Sequence, residues 1–173
     1  MQRVPWQHPV EGAIKRKNAD GAKTPPVKAA YKLYDAFEGR VVGISDGDTI
    51  SVMRNGKAQK VRLYGVDAPE KKQPFGERAK QFTSEQTFGQ KASVMIIEND
   101  RYGRVVGVVI MPYERESLNI QIVRAGLAWH YRQYAPKDTY LIDAQQEARL
   151  DRRGLWVDKA PVAPWNWRKA RKR

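Results

Sequence analysis

The chain has 173 residues, 32 of them Lys or Arg against 19 Asp or Glu, a formal net charge of +13, and 41% hydrophobic residues. That length and apolar content suit one domain with a genuine core and exclude a disordered chain, while the charge favours a polyanion, nucleic acid first and an anionic membrane surface second. There is no cysteine, which excludes disulfides, thiolate metal sites and a cysteine nucleophile.

No apolar run approaches the ~18 residues of a membrane span, and residues 1–30 lack the apolar stretch of a signal peptide. The compartment stays open: secreted or periplasmic if a leader has been removed, cytoplasmic otherwise. Residues 1–35, rich in Lys, Pro, Gly and Ala, predict a basic, extended arm. The folded domain is expected over 36–158, followed by a Pro- and Trp-containing basic tail over 159–173.

Strand-like segments then follow in order. FEGRVVGIS (37–45) ends at the turn DGD (46–48). DTISVMR (48–54) alternates Ile50, Val52 and Arg54 against Thr49, Ser51 and Met53, and Asn55-Gly56 signals a hairpin into AQKVRLYGV (58–66). ASVMIIEN (92–99) and RVVGVVI (104–110) flank the turn DRYG. A helix is expected over 76–88, with Ala79, Phe82 and Gln86 on one face. Ser117 caps a second, which Gly126 stops. A third runs from Asp138 or Thr139 to Arg153, turning Leu141, Ala144 or Gln145, and Ala148 inward, and Gly154 closes it. The fold class is mainly β with α: a five-stranded OB-fold barrel with three helices. A doubly wound sheet would need helices alternating with parallel strands, against which the Asn55-Gly56 hairpin argues.

The stretch VRLYGVDAPE (61–70) puts Asp67 and Glu70 at the end of an apolar strand in a strongly basic chain. Asp48 ends another strand beside Gly47. Carboxylates brought together repel unless a cation or proton lies between them. A hard divalent cation such as Ca2+ accepts such oxygens, with the Ala68 carbonyl and water completing the shell. The alternative is that each aspartate satisfies the amides of its own turn. Glu70, after Pro69, is placed to take a proton from an attacking water or to orient it; otherwise it is a solvated surface group. Arg62 and Arg104 interrupt apolar strands, and their donor forks match phosphate oxygens; simple alternation toward solvent is the other reading. Tyr102, Tyr131 and Tyr134 offer rings for base stacking or for packing, and Lys71, Lys72 and Arg132 offer charge to a strand of nucleic acid. His8 and His130 lack a second histidine nearby, so zinc has almost no support.

The stretches VVGISDGDTI, VRLYGVDAPE and DRYGRVVGVV, extended by QPFGERAKQF, NIQIVRAGLAW, RRGLW and APWNWR, resemble the staphylococcal nuclease (thermonuclease) family over about residues 37–168. The resemblance implies a five-stranded OB barrel with three helices and Ca2+-dependent cleavage of DNA and RNA to 3'-phosphate ends. By motif, Asp48, Asp67 and the Ala68 carbonyl look like the calcium ligands, and Glu70 looks like the residue that activates or orients water. Arg62 and Arg104 look like the phosphate-binding pair, with Tyr102, Arg132 and Tyr134 as substrate contacts. Ala68 stands where the best-known member has threonine; a backbone ligand survives that change. The segment between Glu70 and Phe75 is shorter than in that member, which bears on substrate preference. Contacts to phosphate do not read bases, so little sequence specificity is expected. The rival reading is a catalytically silent OB module that binds single strands. Monomer is the default.

Overall fold

A computed structural model describes residues 35–171. The expected N-terminal arm lies outside the described residues except for Asp35, as do Lys172 and Arg173 of the tail. The elements run β1 (Ala36–Asp46), β2 (Thr49–Arg54), β3 (Lys57–Leu63), β4 (Val66–Asp67), α1 (Gly76–Thr87), β5 (Lys91–Asn99), β6 (Val105–Ile110), α2 (Leu118–Arg124), β7 (Trp129–His130) and α3 (Thr139–Leu150), with α4 (Pro164–Ala170) last. A 3-10 turn, Gly154–Val157, lies between α3 and α4.

Five strands close into a barrel in the order β1-β2-β3-β6-β5, so the OB-like expectation holds. Alternation drives it: Val41, Ile50, Val52, Val61, Leu63, Val94, Val105 and Val109 turn into one core. Asn55 (φ 49°) and Gly56 (φ 76°) make the left-handed pair that a two-residue hairpin needs, and they set β2 against β3 from Arg54↔Lys57 to Thr49↔Arg62. The long β1 serves two neighbours. Its first half pairs with β5, and its second half pairs with β2 across two register shifts. Closure comes from the parallel pairing of β3 with β6, Val61↔Val105 to Leu63↔Gly107.

Asn119, buried on α2, supports this seam. Its Oδ1 accepts from the Val109 amide at 3.1 Å, and its Nδ2 donates to the carbonyls of Tyr64 at 2.9 Å and Gly107 at 3.2 Å. Asn119→Ala removes all three bonds from a buried position. It is expected to cost about 3 kcal/mol, read as a lower urea midpoint at constant m. An unchanged midpoint would show that the seam does not depend on Asn119.

The helices refine the expectations. Ser117 and Asp138 cap α2 and α3 as read, each side chain accepting from an amide three residues on. Helix α3 ends at Leu150, earlier than expected, because the chain turns left-handed at Arg152 (φ 51°) before Gly154. On α1 the buried face is Gly76, Ala79, Thr83 and Thr87 rather than one through Gln86. The two threonine hydroxyls donate to the carbonyls of Gly47 and Thr83, each at 2.7 Å, so they enter the core satisfied. The segment expected as a basic tail contains a fourth helix, α4, opened by Pro164 in its first turn. Among the described residues no helix is long and apolar enough to cross a membrane.

Candidate active site

The turn after β1 is where the site begins. Gly47 is enclosed: a Cβ there would lie 2.7 Å from the Ala79 side chain and 2.9 Å from that of Ala68. Only glycine lets the turn pass between α1 and the chain after β4, and Thr83 pins its carbonyl. Asp48 is thereby pressed against Ala68, whose amide donates to its Oδ2 at 2.7 Å. The Thr49 hydroxyl donates to its Oδ1 at 3.0 Å. Across the hairpin, Arg62 stands opposite Thr49. Gly65 (φ 69°) turns the chain from β3 into β4, and the pairing Asp67↔Trp129 with β7 fixes Asp67.

One guanidinium joins the two aspartates. Arg62 Nη1 lies 2.6 Å from Asp48 Oδ1 and its Nη2 lies 2.8 Å from Asp67 Oδ1. Both carboxylates are almost fully buried, at 3% and 1% exposure. The structure brings Asp48 and Asp67 together on the same arginine. Burial raises the Asp48 carboxyl from the ordinary 3.8 to about 6, with Arg62 opposing it and the neighbouring Asp46 carboxylate adding to it. At Arg62 the balance runs the other way. Burial works against its charge, but two carboxylates outweigh that and raise its pKa. The directions agree physically: Arg62 faces two anions, whereas Asp48 shares its one cation with Asp67 and faces a second anion in Asp46.

Asp100 orients the other arginine of the pair. Its Oδ1 accepts from the amides of Tyr102 and Arg104, and its Oδ2 lies 2.7 Å from Arg104 Nε. Burial pushes the Asp100 carboxyl up, but these bonds outweigh it and hold it below the usual range. Asp100 thus holds both its turn and Arg104. Arg104 lies 5.6 Å from the centre of the Tyr102 ring, and Tyr102 is well exposed.

Arg62, Glu70, Arg104, Tyr102 and Tyr134 all line one open pocket of about 710 Å3. Asp48, Asp67 and Ala68 lie buried behind it. Lys71, Lys72 and Arg132 are exposed and are not among its walls. Arg132 lies instead near Arg149, whose pKa is lowered by burial first and by Arg132 second. The pocket also takes in Tyr131, one of the rings read as a stacking surface or as packing, and Asp46, Arg101 and Arg168, which the sequence reading left unassigned. Asp46 was legible as the first residue of DGD, with carboxylates on both sides of one glycine. Arg168 had no such signal beyond its place in PWNWR. His130 is buried and is not among the pocket's walls; its Nε2 lies 2.7 Å from the Ala135 carbonyl, and burial lowers its pKa.

A hard cation fits this donor chemistry. The acceptors brought together here, the Asp48 and Asp67 carboxylates, are hard oxygen donors of the kind such an ion takes. The shell is not preassembled, because both Asp67 oxygens accept from guanidinium groups. Among the described residues no group of three or more His, Cys, Asp or Glu is disposed around one centre.

Comparison with known proteins finds relatives of the sequence. The pattern of the family described as staphylococcal nuclease homologue matches residues 60–158. The chain is 44% identical over 144 residues to a micrococcal nuclease of Shigella flexneri, covering 79% of this chain and 83% of that one. It is 46% identical over 132 residues to an uncharacterized endonuclease of Escherichia coli, covering 76% and 85%. It is 32% identical over 158 residues to the staphylococcal-like nuclease CAN1 of Arabidopsis thaliana, covering 91% of this chain and 46% of that one.

Proposed function

The chain belongs to the staphylococcal nuclease homologue family, and on that premise we propose that it is a Ca2+-dependent endonuclease acting on DNA and RNA with little sequence specificity, leaving 3'-phosphate ends. The observation that carries the reading is the pair of buried carboxylates, Asp48 and Asp67, bridged by an arginine that opens onto a pocket shared with Glu70 and Arg104. A module that only binds polyanions has no use for buried carboxylates beside its phosphate site, since each repels the ligand.

Asp48 and Asp67, with the Ala68 carbonyl, are the residues that would hold the cation, and Glu70 lines the pocket beside them. When bound, Ca2+ supplies positive charge to a phosphoryl oxygen. The protein's own groups do the rest. Arg62 and Arg104 hold non-bridging oxygens from two sides and stabilise the charge that gathers there during attack. Glu70 takes the proton of an incoming water, whose oxygen bonds to phosphorus as the bond to the 5'-oxygen breaks. The leaving oxygen takes a proton from solvent, and the phosphate stays on the 3' side. Tyr102 and Tyr134 present rings at the rim, where stacking accepts any base.

The test is cleavage of end-labelled single-stranded DNA, duplex DNA and RNA in Ca2+ and in EDTA. Fragments ending in 3'-phosphate are expected with Ca2+, and none with EDTA. Binding retained without cleavage in any metal would make the chain an OB binding module instead.

A further inference from the structure

Helix α4 does not trail from the domain; it is seated on the pocket by contacts from three directions. Pro164 is buried at its start. Trp165 stacks on Tyr131, with ring centres 5.1 Å apart and planes 6° from parallel, and meets Trp129 edge-on at 5.6 Å. The segment leading into the helix is tied to the Glu70 turn by Gln73. That buried side chain donates to the Val162 carbonyl at 2.6 Å and accepts from the Glu70 amide at 3.2 Å.

This seating delivers Arg168 into the carboxylate cluster. Its Nη1 lies 2.7 Å from Glu70 Oε1 and 3.2 Å from Asp67 Oδ1, and its Nη2 lies 2.8 Å from Asp67 Oδ2. With Arg62 also on Asp67 Oδ1, both oxygens of Asp67 are engaged by guanidinium groups while Arg168 stays, and only Oδ2 keeps a second acceptor site. A divalent cation that takes Asp67 therefore competes with that guanidinium for one carboxylate, and repulsion between the two positive charges favours its release. The displaced group remains on a helix docked at the pocket wall it shares with Arg62 and Arg104, where its donor fork suits phosphate.

We propose that Arg168 is a third phosphate-binding arginine of this site, held on Asp67 and Glu70 when no cation is present and released toward substrate when a divalent cation takes Asp67. The inference rests on the nuclease reading for its substrate, but the exchange at Asp67 does not. Losing Arg168 has two consequences of opposite sign: the cation meets less competition, and the substrate loses a ligand. A residue that merely braces the fold would weaken both.

The experiment compares the full chain with Arg168→Gln and Arg168→Lys. Calorimetry with CaCl2 alone, without nucleic acid, should show Ca2+ binding about tenfold tighter in Arg168→Gln, because the competing state is gone. Steady-state cleavage should show kcat/KM lower by about 10²-fold. Arg168→Lys keeps the charge without the fork and should fall between on both counts. Tryptophan emission and Tm measured with Ca2+ should match wild type, since Trp165 and its stack are untouched. Cation affinity that is unchanged or weaker in the folded variants overturns the exchange, as does a wild type that takes up no Ca2+. Unchanged or faster cleavage overturns the phosphate role. If wild type binds Ca2+ but cuts nothing, the nuclease reading fails while the calorimetry still decides the exchange. If Arg168→Gln fails to fold, Arg168→Lys decides both.

Discussion

Glu70→Gln is expected to lower cleavage by about 10²–10⁴-fold, the usual range for positioned acid–base help, while DNA binding in EDTA stays close to wild type. The turn that holds Glu70 makes this a clean substitution. Pro69 precedes it, its amide donates to Gln73 Oε1, and its carbonyl accepts from the Gln73 amide at 2.8 Å. None of these bonds involves the Glu70 carboxylate. Glutamine has the same shape and still offers an oxygen to Arg168, so α4 should stay seated. The pair with Arg168 is about half open to solvent, and exposed pairs contribute ~0–1 kcal/mol. The Tm should therefore move little. What is lost is the capacity to take a proton. Single-turnover cleavage by saturating protein isolates that loss from binding, and a wild-type rate there would remove Glu70 from the chemistry.

The barrel was legible because its signals are local. Alternation of Ile50 and Val52 against their neighbours, and Asn55-Gly56 between two such runs, needs nothing beyond the segment itself. The closing pair was not legible, since β3 meets β6 in parallel across some forty residues and nothing in either strand names its partner. Polar core residues misled at α1. The apolar spacing names Ala79, Phe82 and Gln86, whereas Thr83 and Thr87 enter the core because their hydroxyls are bonded to the carbonyls of Gly47 and Thr83. Arg62, Asp48 and Asp67 were legible as types near strand ends. Their mutual pairing depended on the Thr49↔Arg62 register and the enclosure of Gly47, which are properties of the assembled barrel. Helix α4 is the largest omission. PWNWRKA is short, opens with proline and leads into a basic run, so by composition it is a solvated tail. Its docking is decided by Tyr131 and Trp129, more than thirty residues earlier, and only that docking turns Arg168 inward.

Arg62→Ala should be the most damaging single change, and its damage should depend on pH. Two buried carboxylates lose their shared cation, and breaking a buried pair from one side costs about 3–5 kcal/mol. The sign of the pH dependence follows from Asp48. Its carboxyl is raised from 3.8 to about 6 in the folded wild type. Between those values the folded state holds a proton that the unfolded chain has lost, so Asp48's contribution to stability falls as pH rises through that window. Above about 6 its charge is present and costly. Arg62 is the main influence opposing this, so its removal drives the carboxyl further up and extends the loss to higher pH. The Tm gap between wild type and Arg62→Ala, measured in EDTA, should therefore be widest near pH 8 and narrow toward pH 5. A gap equal at both ends would mean that Asp48 is not the group that feels Arg62. Cleavage supplies the second reading. With one phosphate donor gone, kcat/KM should drop by about 10²–10³-fold, and conditions that restore Tm should not restore it. Arg62→Lys sharpens the distinction: one ammonium cannot bridge Asp48 and Asp67 as two guanidinium nitrogens do, so it should recover part of the stability and little of the rate. The same side chain thus holds the site together and serves its chemistry, and pH separates the two roles because only the first depends on whether Asp48 is charged.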